Sequence, residues 1–129
     1  MRLPGNLRKD KYKNKIYPDG SYEFLCEIEN AGGNLQSWEP HAVVLESGKI
    51  LVHIRVQDGK DFCTLFQCES VDGGKSFTKP HQVLVGKEDV PAHLIQDGDT
   101  IISVYSYRNK PYGIRAMFSK DEGENWETD

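Results

Sequence analysis

The chain has 129 residues, of which 37% are apolar and 28% charged, a balance that excludes a disordered polar chain and fits a folded domain. Its net charge of −4 at pH 7 argues against a broad nucleic-acid-binding surface, and no apolar run is long enough to span a bilayer. No signal peptide is legible after Met1, so the chain as written reads as cytoplasmic, with an exported longer parent left open.

In chain order, the basic run from Arg8 to Lys15 has no second basic face and reads as a solvated linker or loop. Tyr22 to Ile28 alternates loosely and reads as a strand of a preceding sheet. Pro40 to Gly48 is a strand ending in a Gly turn. The run to Val56 follows, dense in β-branched residues. Phe62 to Cys68 is a third strand, and Ser70 to Phe77 a turn. The order then recurs. Pro91 to Gly98 leads into Asp99 to Tyr107, then Gly113 to Phe118, then a turn over Ser119 to Trp126. No stretch carries helical periodicity over about 11 residues. The fold class is all-β.

The recurrence is clearest at the turns. Ser70-Val71-Asp72-Gly73-Gly74-Lys75-Ser76-Phe77 returns 49 residues later as Ser119-Lys120-Asp121-Glu122-Gly123-Glu124-Asn125-Trp126. Both read S-x-D-x-G-x-x-aromatic. Ser and Asp side chains bond local backbone in tight turns, and Gly supplies the left-handed conformation. The aromatic folds back over the turn. These eight positions (Ser70, Asp72, Gly74, Phe77, Ser119, Asp121, Gly123 and Trp126) therefore read as structural. A period near 50, each unit a four-stranded meander, is the signature of propeller blades. Residues 1–37 form an N-terminal segment with strand material of a preceding blade, 38–88 one blade, and 89–129 a second. That second blade stops where its last strand should begin. This is two to two and a half blades of a partial β-propeller, whereas a closed one has roughly 4–8. Copies of the chain could complete one another as a homo-oligomer.

The repeated turn resembles the Asp-box, or BNR repeat, of the sialidase (neuraminidase) superfamily. A second segment is similar to the same family. Trp38-Glu39-Pro40 opens a strand, Ser47-Gly48 turns it, and the next strand ends at Ile54-Arg55. The resemblance implies that Glu39 is catalytic, as the base of a tyrosine nucleophile, and that Arg55 belongs to an arginine clamp on the sialic acid carboxylate. Arginine suits that task because its planar fork matches a carboxylate. A tyrosine nucleophile is the known departure from two-carboxylate glycosidases. Tyr105 to Ala116 resembles a family segment found before an Asp-box, which marks Arg108 as a second substrate-binding arginine and Arg115 as structural.

The family's first arginine has no counterpart, since Met1-Arg2-Leu3-Pro4 lacks the strand that should follow. The nucleophile and the acid partner cannot be assigned, and Tyr107 and Tyr112 read as packing or sugar-stacking residues. The ordinary alternative for Glu39 and Arg55 is an ion pair between blades or at the surface. His41, His53 and His93 read as satisfied packing histidines, with one facing the central cavity as the sharper alternative. The three cysteines read as buried free thiols, Cys63 and Cys68 on opposite faces of one strand. No metal site and no cofactor are expected. The function read from the whole is a sialidase-like glycoside hydrolase, or a fragment of one, acting on terminal sialic acid or a related acidic sugar. The alternative is a non-catalytic carbohydrate-binding or interaction propeller.

Overall fold

Two four-stranded antiparallel meanders stand side by side in the computed structural model, which describes residues 12–16, 22–84 and 91–128. The first comprises β3 (Gln36–Val44), β4 (Ile50–Gln57), β5 (Cys63–Ser70) and β6 (His81–Gln82). The second comprises β7 (Ala92–Asp97), β8 (Thr100–Tyr107), β9 (Gly113–Ser119) and β10 (Glu127–Thr128). Ahead of them β1 (Tyr12–Ile16) and β2 (Tyr22–Glu27) pair as a hairpin. No helix occurs among the described residues. This is a partial β-propeller-like fold, two blades of an open array, with β3 and β7 as the innermost strands.

The run Arg8 to Lys15, expected as a loop, is strand from Tyr12 onward; Arg8 to Lys11 and the Met1–Pro4 segment lie outside the described residues. The second blade, expected to stop before its last strand, carries a two-residue piece of it in β10.

Alternation gives blade one two buried faces and blade two a single buried face. On blade one, Ile50, Val52, Ile54 and Val56 pack with Ile28, Phe66 and Cys68, and Phe77 closes over them. The opposite face meets blade two. There Leu51 and Leu45 join Leu94 and Ile101, while Leu65 joins Tyr105 and Met117. Trp126 touches both of these clusters. Each wholly buried leucine or isoleucine contributes about 1.5–3 kcal/mol of transfer free energy to that seam.

The repeat register differs from the reading by sequence alone. Ser70 pairs with Ile50 and Ser119 with Ile101, so β4 and β8 correspond at an offset of 51 rather than the 50 suggested by Gly48 and Gly98. Val44 pairs with Ile50 and Gln96 with Ile101, so β3 and β7 correspond at 52, and His93 is the counterpart of His41. A one-residue change of register exchanges the faces of a strand. For this reason Leu51 and Ile101 point at each other across the seam instead of both pointing the same way around the ring.

The two repeated turns are superimposable in their bonding. Ser70 Oγ donates to Asp72 Oδ1 at 2.8 Å and accepts the Gly74 N–H at 2.9 Å; Ser119 does the same with Asp121 and Gly123 at 2.8 and 2.9 Å. Asp72 accepts the Ser76 N–H at 2.9 Å, and Asp121 the Asn125 N–H at 2.9 Å. Hydrogen bonds from residue 76 and residue 125, side chain and backbone, hold both carboxyls well below the ordinary range, Asp121 at about 2. The aromatic does more than cover its own turn. Trp126 reaches blade one, donating its indole N–H to Gln67 Oε1 at 2.8 Å.

Of the cysteines, Cys68 is buried as expected, whereas Cys26 and Cys63 are only half-buried; none of the three is in a disulfide. Cys26 donates to the Gly74 carbonyl at 3.2 Å, tying the hairpin to the first turn.

Candidate functional site

In a meander the alternate loops share one end, so the start of β3, the end of β4 and the β4–β5 loop come together. Strand pairing sets Arg55 opposite Trp38, and the ladder then slips between Trp38 and His41. Glu39 sits in that bulge with φ +46°, a left-handed conformation that costs a non-glycine residue about 1–2 kcal/mol. The bulge aims Glu39 back at Arg55. Its Oε2 accepts from Arg55 Nη1 at 2.9 Å, while Gln57 Oε1 accepts from Nη2 at 3.0 Å. The Glu39 bond, more than any other contact, raises the Arg55 guanidinium above its ordinary value. The two residues form an ion pair inside one blade, where the ordinary alternative had placed it between blades or at the surface, with Arg55 mostly buried and Glu39 half exposed.

Arg55 lines a cavity of about 430 Å³ together with Gln57, Lys60, Asp61, Cys63, Arg108 and Asn109. The cavity spans both blades: Arg55 and Lys60 come from blade one, Arg108 and Asn109 from the loop after β8. Three of the lining side chains are cationic and one, Asp61, is a carboxylate, while Arg55 is also paired with Glu39. Lys60 is presented by a fixed loop. Asp58 Oδ1 accepts the backbone N–H groups of Lys60 at 2.8 Å and of Phe62 at 3.1 Å, which also hold the Asp58 carboxyl below its usual range. Such a set of side chains has the chemistry to hold an anion through charge-assisted bonds.

The structure therefore brings together Glu39, Arg55 and Arg108, the three functional positions read from sequence. Sequence reasoning misses Lys60, Gln57 and Asn109. The Asp58-Gly59 dipeptide after a β-rich strand is a turn signal, and a turn at the Arg55 end of the blade was a legible neighbour. Arg115 lies 3.5 Å over the Tyr107 ring, which spends both residues on a stacking contact. Tyr112 is exposed. His53 is wholly buried and satisfied, as expected for a packing histidine, between Ser103 at 2.9 Å and Gln67 at 3.1 Å. Among the described residues no cluster of three or more His, Cys, Asp or Glu side chains could hold a metal ion.

No protein-family model matches the chain, and no curated protein matches it. Solved structures do. A protein of unknown function from Dyadobacter fermentans DSM 18053 aligns with TM-score 0.66 at 21% identity over 84% of this chain. An ulvan lyase of polysaccharide lyase family PL25 aligns with TM-score 0.63 at 20% identity over 86% of it, as does its complex with -[GlcA(1-4)Rha3S]-. The chain spans only about 30% of the length of these structures. At such identities the likeness establishes the fold alone, a partial propeller-type β architecture.

Proposed function

We propose that this chain carries part of the acidic-glycan site of a carbohydrate-active propeller, and that the whole protein is a sialidase-like glycoside hydrolase. One observation carries the reading: Arg55, Lys60 and Arg108, drawn from two blades, line a single cavity. Arg55 and Arg108 clamp the carboxylate of sialic acid or a related acidic sugar, and Lys60 adds a third positive charge. Glu39, held against Arg55 in a strained bulge, acts as the base of a tyrosine supplied elsewhere in the longer protein. The similar ulvan lyase, whose structure was solved bound to -[GlcA(1-4)Rha3S]-, supports a glycan ligand in general. A second reading, glycan binding without turnover, draws on Glu39 being engaged by Arg55 rather than by a tyrosine among the described residues.

The test is an NMR titration of the chain with N-acetylneuraminic acid, glucuronic acid and the methyl ester of each. Binding of the acids, lost with the esters and weakened at least about tenfold by R55A or R108A, is the expected result. Esters that bind as well as acids would overturn the reading. In the longer protein, Glu39→Gln should abolish turnover while leaving binding intact. An unsaturated product instead of a released sugar would assign a lyase and remove the hydrolase. The uncovered face of blade two, with Ile95 and Ile114 exposed, is the surface through which copies of the chain would associate. A clean monomer by light scattering at tens of micromolar would dismiss self-completion, leaving glycan binding to be judged by the titration alone.

A further inference from the structure

Two of the hydrogen bonds across the seam end on histidines, beside those that join Trp126 to Gln67, Gln67 to Gly123, Glu46 to Gln96 and Lys49 to Glu124. On the innermost strand of blade one, His41 accepts the Leu94 backbone N–H of β7 at Nδ1, 3.0 Å away, and its ring lies 3.9 Å from that of His93. One strand outward, His53 meets Ser103 Oγ of β8 at Nδ1 (2.9 Å) and Gln67 Oε1 at Nε2 (3.1 Å). The neighbours determine the His53 tautomer. The Trp126 indole can only donate, so its Gln67 partner atom is an acceptor. His53 Nε2 must therefore carry the hydrogen, and Nδ1 accepts the Ser103 hydroxyl. Both of these bonds across the seam end on an imidazole lone pair that protonation would consume. The Leu94 N–H has no alternative, since a backbone donor cannot become an acceptor. The Ser103 hydroxyl can reverse, but the charge would then sit in a site with no solvent exposure.

The surroundings offer that charge little compensation. His53 is faced by His41 from β3, by Gln67 from β5 with Glu69 behind it at 3.3 Å, and by His81 from β6. Ser103 approaches it from β8 and Trp126 from the second turn, whose Glu124 is held by Lys49. Arg55, two residues along β4, is paired with Glu39. His41 is faced by His53 from β4 and His93 from β7, with Glu39 two residues away on its own strand and directed at Arg55. Among the described residues no carboxylate hydrogen-bonds either ring.

We propose that this seam is an acid-operated joint: protonation of His41 and His53 parts blade two from blade one while each sheet keeps its own ladder. The cavity straddles the same seam, so opening it separates Arg108 from Arg55 and dismantles the anion site. Burial above all, and then His93, lowers the affinity of His41 for a proton; burial lowers that of His53 to about 4. In the open joint both rings regain water and their ordinary affinity. The closed form is thus fully favoured above pH about 6.5 and loses ground as the pH falls toward 4. From His53 alone, going from neutral pH to pH 5 shifts the balance about 20-fold toward the open form.

Hydrogen exchange at the Leu94 amide, corrected for its intrinsic rate and compared with amides inside the β4–β5 ladder, reads the joint directly. The expected result is a Leu94 protection that drops at least about tenfold more than the ladder between pH 7.5 and pH 5. Glutamine can take the same Leu94 bond without titrating, so H41Q combined with H53Q should remove most of that excess. If the double variant does not fold, nitrogen-15 shifts of the native imidazoles still decide. They should show both residues as Nε2–H tautomers that titrate below the ordinary histidine range. Leu94 protection that tracks the ladder, a folded double variant as acid-sensitive as the native chain, or ordinary titration of both rings would each overturn the joint. None of these outcomes bears on glycan binding at neutral pH, which the titration tests separately.

Discussion

Gly123→Ala isolates what the second turn contributes beyond its own geometry. Gly123 has φ +86°, and Gly98, in the β7–β8 turn, has φ +60°. Alanine at either position incurs the left-handed penalty of about 1–2 kcal/mol. At Gly98 a new Cβ meets nothing within 4 Å. At Gly123 it would meet Leu51 Cδ1 at 2.9 Å, Leu51 Cδ2 at 3.2 Å and Gln67 Nε2 at 3.2 Å. Those neighbours have nowhere to go. Leu51 is wholly buried, and Gln67 is held by His53, Trp126 and the Gly123 carbonyl itself. The Gly123 N–H is pinned to Ser119. Overpacking of this kind costs about 1–3 kcal/mol in addition to the strain. Urea unfolding followed by tryptophan emission should therefore show G123A losing about 3 kcal/mol and G98A about 1 kcal/mol. Leu51→Val withdraws both Cδ atoms, so the G123A/L51V pair should be less destabilised than the sum of its parts by about 1–2 kcal/mol. If G123A and G98A fall within about 0.5 kcal/mol of each other and the double variant is additive, the turn does not seat against blade one as described.

Three further outcomes are expected. Ser70→Ala and Ser119→Ala should each cost about 1–3 kcal/mol by thermal melting, because each strands a buried glycine N–H, and the two losses should agree as closely as the bonding geometries do. Acid unfolding should occur in two windows. The buried histidines lose stability from pH about 6.5 toward 4, as His53, depressed to about 4 by burial, refuses a proton that the unfolded chain accepts. Asp72 and Asp121 are depressed carboxyls, so their contribution is present above about 4 and lost as the pH falls through about 2 for Asp121; Asp121→Asn should flatten only that lower window in a far-ultraviolet dichroism titration. Lys49→Met, which breaks an ion pair with a largely exposed Glu124, should shift the urea midpoint by less than about 0.5 kcal/mol equivalent, and a larger loss would show that Lys49 clamps the blades.

What could be read in advance follows the range of the interactions. The repeated turns were legible because their hydrogen bonds run from one residue to another at most four positions on, and Ser, Asp and Gly announce such bonds by type. The pairing of Glu39 with Arg55 was within reach because a single strand pairing connects them, although the bulge that turns Glu39 toward its partner was not. Lys60 and Asn109 were out of reach. Each is an ordinary loop residue until blade two is set beside blade one, and only then do they share a cavity with Arg55.

The repeat by itself determined an all-β chain of propeller blades, since period, Gly turns and β-branched runs are local properties that any packing must respect. Which faces meet was decided only in three dimensions. The offset drifts from 49 at the turns to 51 at β4 and 52 at β3, and each extra residue inverts a strand's alternation. From that register come the contact of Leu51 with Gly123, the bonds of His41 to Leu94 and of His53 to Ser103, and the approach of Arg108 to Arg55. These contacts join residues about 50 positions or more apart, and they depend on strand alternation and packing that one inserted residue can reverse without changing the composition of either blade.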